Sequence, residues 1–150
     1  MKIEYISAKS ILVRNNSPEK WFGVKYNMNV YRGCQHDCIY CDSRSDCYQI
    51  QNFDNLIIKN NASELLEQEL SKKKKKVTIG TGSMSDPYIP AEKHICLTQK
   101  VLKVIIKHKF PFHINTKSDL ILRDLYLLRE INKTFLSVCF TITTCDDILA

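Results

Sequence analysis

Apolar residues recur along this chain in two alternating rhythms. From Val24 to Val30 apolar and polar residues alternate one by one, the period of a half-buried strand. Asn61-Ala62-Ser63-Glu64 then has the form of a helix N-cap with an acidic residue three positions on, and Ala62, Leu65, Leu66 and Leu70 follow at helical spacing. Val77-Thr78-Ile79-Gly80 reads as a short buried strand, and Thr98 as the cap of a second amphipathic helix carrying Val101, Leu102 and Ile105. Phe112-His113-Ile114-Asn115-Thr116 predicts another strand, Ile121, Leu125 and Leu128 a third helix, and the β-branched run Phe135 to Thr144 a long final strand. The predicted order is β-α-β-α-β-α-β.

Strands that alternate with helices of this length pair in parallel through right-handed crossovers, giving an α/β fold that is either a doubly wound sheet or a barrel. Chemistry in both gathers where strands end and loops begin. Four segments fall at such ends: the stretch after Val30, Thr81 to Tyr88, Thr116 to Ser118, and Thr143 to Cys145. Residues 1–24, with the turn signal Asn15-Asn16-Ser17-Pro18, read as an N-terminal extension or an added strand region, and 25–150 as the main domain.

Composition narrows the function classes. At 150 residues with 44% apolar content the chain is one globular domain's worth with a real core, not a disordered tail. No apolar run is long enough to span a bilayer and Met1-Lys2-Ile3-Glu4-Tyr5 leads into polar sequence, so the expectation is a cytoplasmic protein with no membrane partner. The net charge of +6 points to an anionic partner, yet Lys72 to Lys76 are consecutive. Such a run is either a solvated turn that complements a helix dipole or a nucleic-acid contact, and charge alone does not separate the two.

Seven cysteines are an odd count with no even disulfide framework. Three of them, Cys34, Cys38 and Cys41, lie in one short loop after the first strand, Val30-Tyr31-Arg32-Gly33-Cys34-Gln35-His36-Asp37-Cys38-Ile39-Tyr40-Cys41. Three thiolates can hold three irons of a cubane cluster and leave its last iron without a protein ligand, open to another molecule. Cys47 is near enough in sequence to close that vacancy. A structural zinc site is the alternative, with His36 or Cys47 as its fourth donor. Cys139, in an apolar strand, reads as a small core side chain, and Cys96 has no clustered partner.

The loop Cys-x-x-x-Cys-x-aromatic-Cys, with Tyr40 as the aromatic, resembles the signature of radical S-adenosylmethionine (SAM) enzymes. Tyr31-Arg32-Gly33-Cys34, Ser85-Asp86-Pro87-Tyr88 and Thr116-Lys117-Ser118 are similar in particular to the spore photoproduct lyase-like branch, and the likeness runs from about Lys25 to the end of the chain. This resemblance implies a partial (β/α) barrel with a parallel sheet, a [4Fe-4S] cluster on Cys34, Cys38 and Cys41, and SAM on the open iron. It implies contacts from Tyr40 to the adenine, from Ser85 and Lys117 to the SAM carboxylate, from Asp86 to its amine or to the loop itself, and from Thr141 to the ribose. His36 and Asp37 are read as spacers. The implied chemistry is reductive cleavage of SAM to a radical that abstracts hydrogen, with electrons from an external donor of flavodoxin or ferredoxin type. Gly80-Thr81-Gly82-Ser83-Met84-Ser85-Asp86 invites a phosphate-loop reading but lacks both fingerprints.

Two departures bear on function. The branch's lyase proper has a cysteine and a tyrosine where Ser83 and Asp42 stand, which argues against thymine-dimer repair. About four of the six strands implied by the resemblance are visible, so the chain reads as an N-terminal portion, completed by further sequence or a second polypeptide, or as an inactive remnant. The reading from another class is a zinc-stapled nucleic-acid-binding domain that uses the lysine run.

Overall fold

The computed structural model describes residues 2–17, 21–48 and 55–146. The main sheet has five strands in the order β2-β3-β6-β7-β8, formed by Leu12–Arg14, Tyr26–Met28, Ile79–Thr81, Phe112–Thr116 and Leu136–Phe140. The last four run parallel, and β2 joins β3 antiparallel. The connections carry α1 (Ala62–Ser71), α2 (Glu92–Ile95) with α3 (Leu97–His108), and α4 (Leu125–Asn132). Helix α1 packs on α3 and α3 on α4 in a single layer, the winding of a barrel wall rather than of a doubly wound sheet. The fold is therefore mixed α/β of the partial barrel kind.

Alternation along the strands decides which face meets the helices. Tyr26, Met28, Ile79, Phe112, Ile114, Leu136 and Val138 belong to or pack against the core built with Leu66, Leu70, Val101, Leu102, Ile105, Leu128 and Ile131. The intervening residues Asn27, Gly80, His113 and Ser137 are register partners in one row across four strands, on the opposite face. That face is polar, whereas a parallel sheet covered on both sides reads as a continuous apolar run. It is built to line a hydrated space.

Several elements depart from the sequence expectation. A second sheet, β1-β5-β4, is made by Ile3–Ile6, Leu56–Lys59 and Tyr31–Arg32, the last two not expected from the sequence; the strand expected over Val24 to Val30 is β3 of the main sheet, and the short β4 follows it before the cysteine loop. Both N-terminal strands are tied to the main domain: β1 pairs with β5, β2 with β3, and Glu69 on α1 accepts from Ile11 N at 2.8 Å and Leu12 N at 3.2 Å. Asn61 does precede α1, but its amide does not cap it; Asn61 Nδ2 donates to Ala8 O at 2.9 Å and Asn61 Oδ1 accepts from Ala8 N at 2.8 Å. Ser17 N donates to Asn15 Oδ1 at 3.1 Å in the expected turn, while Pro18 lies outside the described residues.

Thr98 likewise sits inside α3, and the orphan amides of Leu97 and Thr98 are taken up by the buried Glu92 carboxylate at 3.0 and 3.2 Å. The third helix begins as 3-10 turns over Asp119–Asp124, and the change in winding leaves Leu125 43% exposed while Ile121 and Leu128 stay buried. The last strand stops at Phe140 because β7, its neighbour among the described residues, ends opposite it at Thr116. Thr141 and Thr143 therefore lie beyond the strand rather than on one of its faces, and Asp147–Ala150 fall outside the described residues. Among the described residues no helix is long and apolar enough to cross a membrane.

Candidate functional site

The C-terminal ends of the parallel strands, with the loop that leaves β4, enclose a cleft of about 130 Å³. The loop after Arg32 brings Cys34, Cys38, Tyr40 and Cys41; the end of β6 brings Ser85 and Asp86; the end of β7 brings Lys117; and the end of β8 brings Thr141. The eight residues singled out from the sequence thus line one cleft, although they span more than a hundred positions. Thr143 is not among its lining residues. Cys47 is exposed within the 3-10 turn Asp46–Tyr48, where its Sγ lies 2.6 Å from Ser45 Oγ, and it does not line the cleft.

The cysteine loop is held in a conformation it would not adopt alone. Gly33 and Asp37 have φ of 80° and 51°, the left-handed region that a non-glycine residue enters at a cost, and Asp37 is fastened there by an ion pair with Arg44. Gly33 O accepts from Ser85 Oγ, Gln35 Oε1 accepts from Ala91 N at 2.7 Å, and His36 Nε2 stands 3.5 Å from Asp86 Oδ2. At the base of the loop Tyr31 OH donates to Glu92, whose carboxylate also receives Arg123 at 2.8 Å. Asp37, read as a spacer, is thus part of the loop's fastening, while His36 stands beside Asp86 without a hydrogen bond to it. Their partners are set by the fold, and no sequence spacing signals a contact between His36 and Asp86.

Ser85 and Asp86 face inward and are buried. Asp86 Oδ1 accepts from Tyr88 N at 2.8 Å and Thr116 Oγ1 at 2.7 Å, and Oδ2 accepts from Lys117 N at 2.9 Å. These three hydrogen bonds tie Asp86 to the ends of both β6 and β7. Ser85, expected at a carboxylate, spends its proton on Gly33 O. Gly82 makes this crowding feasible: its φ is +93°, and a Cβ there would fall on the carbonyl oxygen of Asn115.

The cleft's charge is carried by Lys117. Its Nζ donates to Tyr40 OH and lies 4.9 Å from the centre of that ring. Desolvation pulls the Lys117 pKa down, but hydrogen bonds to Cys38 and Tyr40 outweigh it and hold the ammonium above its ordinary range. Tyr40 is 58% exposed, so one side of its ring is open to a ligand. Cys34 is buried, and burial pushes its thiol pKa up, so an anionic sulfur there needs a cationic neighbour such as a metal centre. All three loop cysteines are free of disulfides. Among the described residues no three His, Cys, Asp or Glu side chains gather around the position of a single ion. A cubane asks for a different arrangement, with each thiolate on its own iron.

Through Ser83 and Asn115 the cleft continues into a second hollow of about 350 Å³ over the polar face of the sheet. Asn27, Gly80, Thr81 and His113 line it, and Phe22 stacks on His113 with ring centres 4.2 Å apart. Asn27, His113 and Phe22 were not singled out from the sequence. The signal was present as polar side chains at alternate positions of strands otherwise made of core residues.

Comparison with known proteins agrees with this geometry. The radical SAM superfamily matches residues 28–149. An uncharacterized protein of Methanocaldococcus jannaschii is 39% identical over 132 residues, covering 86% of this chain and 48% of its own length. Uncharacterized proteins of Mycobacterium bovis and Mycobacterium tuberculosis are 33% identical over 113 residues, 71% of this chain and 33% of their own. The chain thus spans half or less of the curated relatives it matches. No solved structure matches it significantly. Enzymes of the matching superfamily use a [4Fe-4S] cluster with SAM, and by the extent of the match this chain belongs to the radical SAM superfamily.

Proposed function

We propose that Cys34, Cys38 and Cys41 ligate a [4Fe-4S] cluster and that SAM occupies its remaining iron, against Tyr40 and Lys117 and within reach of Thr141. The observation that supports this best is the placement of three free thiols in one cleft at the C-terminal rim of a parallel sheet, beside a lysine at the end of β7. When bound, the pair supplies a 5′-deoxyadenosyl radical for hydrogen abstraction. The chain's own residues do the positioning. Ser85 and Asp86 set the cysteine loop against β6 and β7, Lys117 presents a cation to a carboxylate, and Tyr40 offers a ring face to the adenine.

The polar row Asn27, Gly80, His113 and Ser137 adjoins that cleft and is the natural seat for a substrate. Placement in the spore photoproduct lyase-like branch rests on the motifs around Tyr31, Ser85 and Lys117. Ser83 and Asp42 in place of that lyase's cysteine and tyrosine favour a substrate other than a thymine dimer. An external flavodoxin- or ferredoxin-type donor would reduce the cluster, and further sequence or a second polypeptide would cover the open side of the sheet.

Anaerobic reconstitution with iron and sulfide tests the reading. About four irons per chain are expected, with none in the triple Cys34/Cys38/Cys41→Ala variant. The electron paramagnetic resonance spectrum of the reduced centre should shift on adding SAM. One tightly held zinc in place of iron, or a spectrum indifferent to SAM, would overturn the proposal in favour of a zinc-stapled domain.

A further inference from the structure

The edge of the main sheet opposite the cysteine cleft carries a groove of about 320 Å³ walled by two segments: Arg14, Lys25 and Tyr26 from β2 and β3, and Lys73, Lys74 and Lys75 from the connection between α1 and β6. No carboxylate lines it, and none of these five cations makes an ion pair among the described residues. The lysine run lies at the surface, with two of its side chains over aromatic rings. Lys73 Nζ sits 4.2 Å above the Tyr26 ring and Lys76 Nζ 4.3 Å above the Phe110 ring, while Lys74 and Lys75 between them are exposed. Mutual repulsion among clustered cations works against such an arrangement, and an anion that neutralises several of them at once relieves it.

We propose that this groove binds the phosphate backbone of a single-stranded nucleic acid. Tyr26 and Val77 are the uncharged residues of the lining, and a surface so dominated by lysine is what protein–protein interfaces avoid, since their cores are depleted in lysine and anchored by large apolar side chains. Phosphate backbones are held by just such point charges. Cations on both walls of a narrow track suit one strand lying between them, with Tyr26 at the wall as in other single-strand channels. The cysteine cleft lies at the other ends of β3 and β6, so the groove acts as a holding surface distinct from the site of chemistry. The proposal does not depend on which cofactor the cysteines bind.

The test is fluorescence anisotropy of the full chain with a labelled 15-nucleotide oligo-dT, titrated at 50 to 200 mM salt. If all five cations engage phosphates, the logarithm of affinity should fall with the logarithm of salt with a slope of about −3.5, a loss of roughly 100-fold over that range. The Lys74→Glu/Lys75→Glu variant, altered at exposed positions, should bind at least ~10-fold more weakly with a slope shallower by about 1.4. A charge-matched Lys93→Glu/Lys100→Glu variant, changed at exposed positions away from the groove, should bind like the parent. Equal weakening in both variants would show a net-charge effect and overturn the proposal. So would tighter binding of a 15-base-pair duplex, or of poly-glutamate as a stand-in for an acidic protein, and so would no binding at 50 mM salt. Unchanged iron content in the Lys74→Glu/Lys75→Glu variant separates this outcome from the fate of the cluster assignment.

Discussion

Replacing Asp86 isolates what holds the cleft together. Its carboxylate is nearly buried and receives three donors, Tyr88 N, Thr116 Oγ1 and Lys117 N, from two different strand ends. Asp86→Ala leaves all three without an acceptor in a site where water enters only from the cleft. A hydrogen bond to a charged group contributes ~1.5–3 kcal/mol, and partial rehydration of Lys117 N recovers some of it, so the expected loss is about 3–5 kcal/mol. Asp86→Asn behaves differently. The amide oxygen can still accept from Tyr88 N and Thr116 Oγ1, while the amide nitrogen confronts Lys117 N, a single mismatch costing about 1–2 kcal/mol. Urea unfolding of the two variants, read by circular dichroism, gives the comparison; with a slope of ~2 kcal/mol per molar the alanine variant's midpoint should fall by about 2 M and the asparagine variant's by less than half of that. Equal midpoints for the two variants, or an alanine variant within about 0.5 kcal/mol of the parent, would refute the claim that this carboxylate ties the end of β6 to that of β7.

Other outcomes follow from the same geometry. Gly82→Ala must place a Cβ against the carbonyl of Asn115 at a φ of +93°, so the variant should lose at least ~2 kcal/mol in the same urea assay, with disturbed iron loading because the end of β6 shifts. Lys117→Met should weaken SAM binding about tenfold, measured by equilibrium dialysis, while iron content stays at the parent's level, since Lys117 contacts the cleft through Tyr40 and Cys38 but is no metal ligand in the proposed scheme. Burial, reinforced by Glu92 for Tyr31 and by Asp124 for Tyr88, raises both phenol pKa values. The folded state therefore keeps two protons that the unfolded chain releases near pH 10, and stability should fall as pH rises above that value. Titration of phenolate absorbance should find both tyrosines silent until the chain unfolds.

The three cysteines, the helix faces and the core strands were legible because each is a local pattern: a spacing within one loop, or an apolar period imposed by 3.6 residues per turn or two residues per pleat. Phe112–Thr116 was predicted to the residue for that reason. The cleft's membership was also legible, because a parallel sheet sends its strand ends to one rim whatever the side chains are. What Ser85, Asp86, His36 and Asp37 do there was decided only by tertiary structure. Ser85, Asp86 and Asp37 bind groups from elsewhere in the fold or across a turn and His36 comes to stand 3.5 Å from Asp86, placements that depend on distances that sequence spacing does not encode. The same holds for Asn61 and Thr98, whose local capping potential was displaced by Ala8 and Glu92. It holds too for the lysine run, which became one wall of a groove only when β3 supplied the other. Local periodicity specifies which element forms and which face it buries; the pairing of polar groups waits on the packing that brings those faces together.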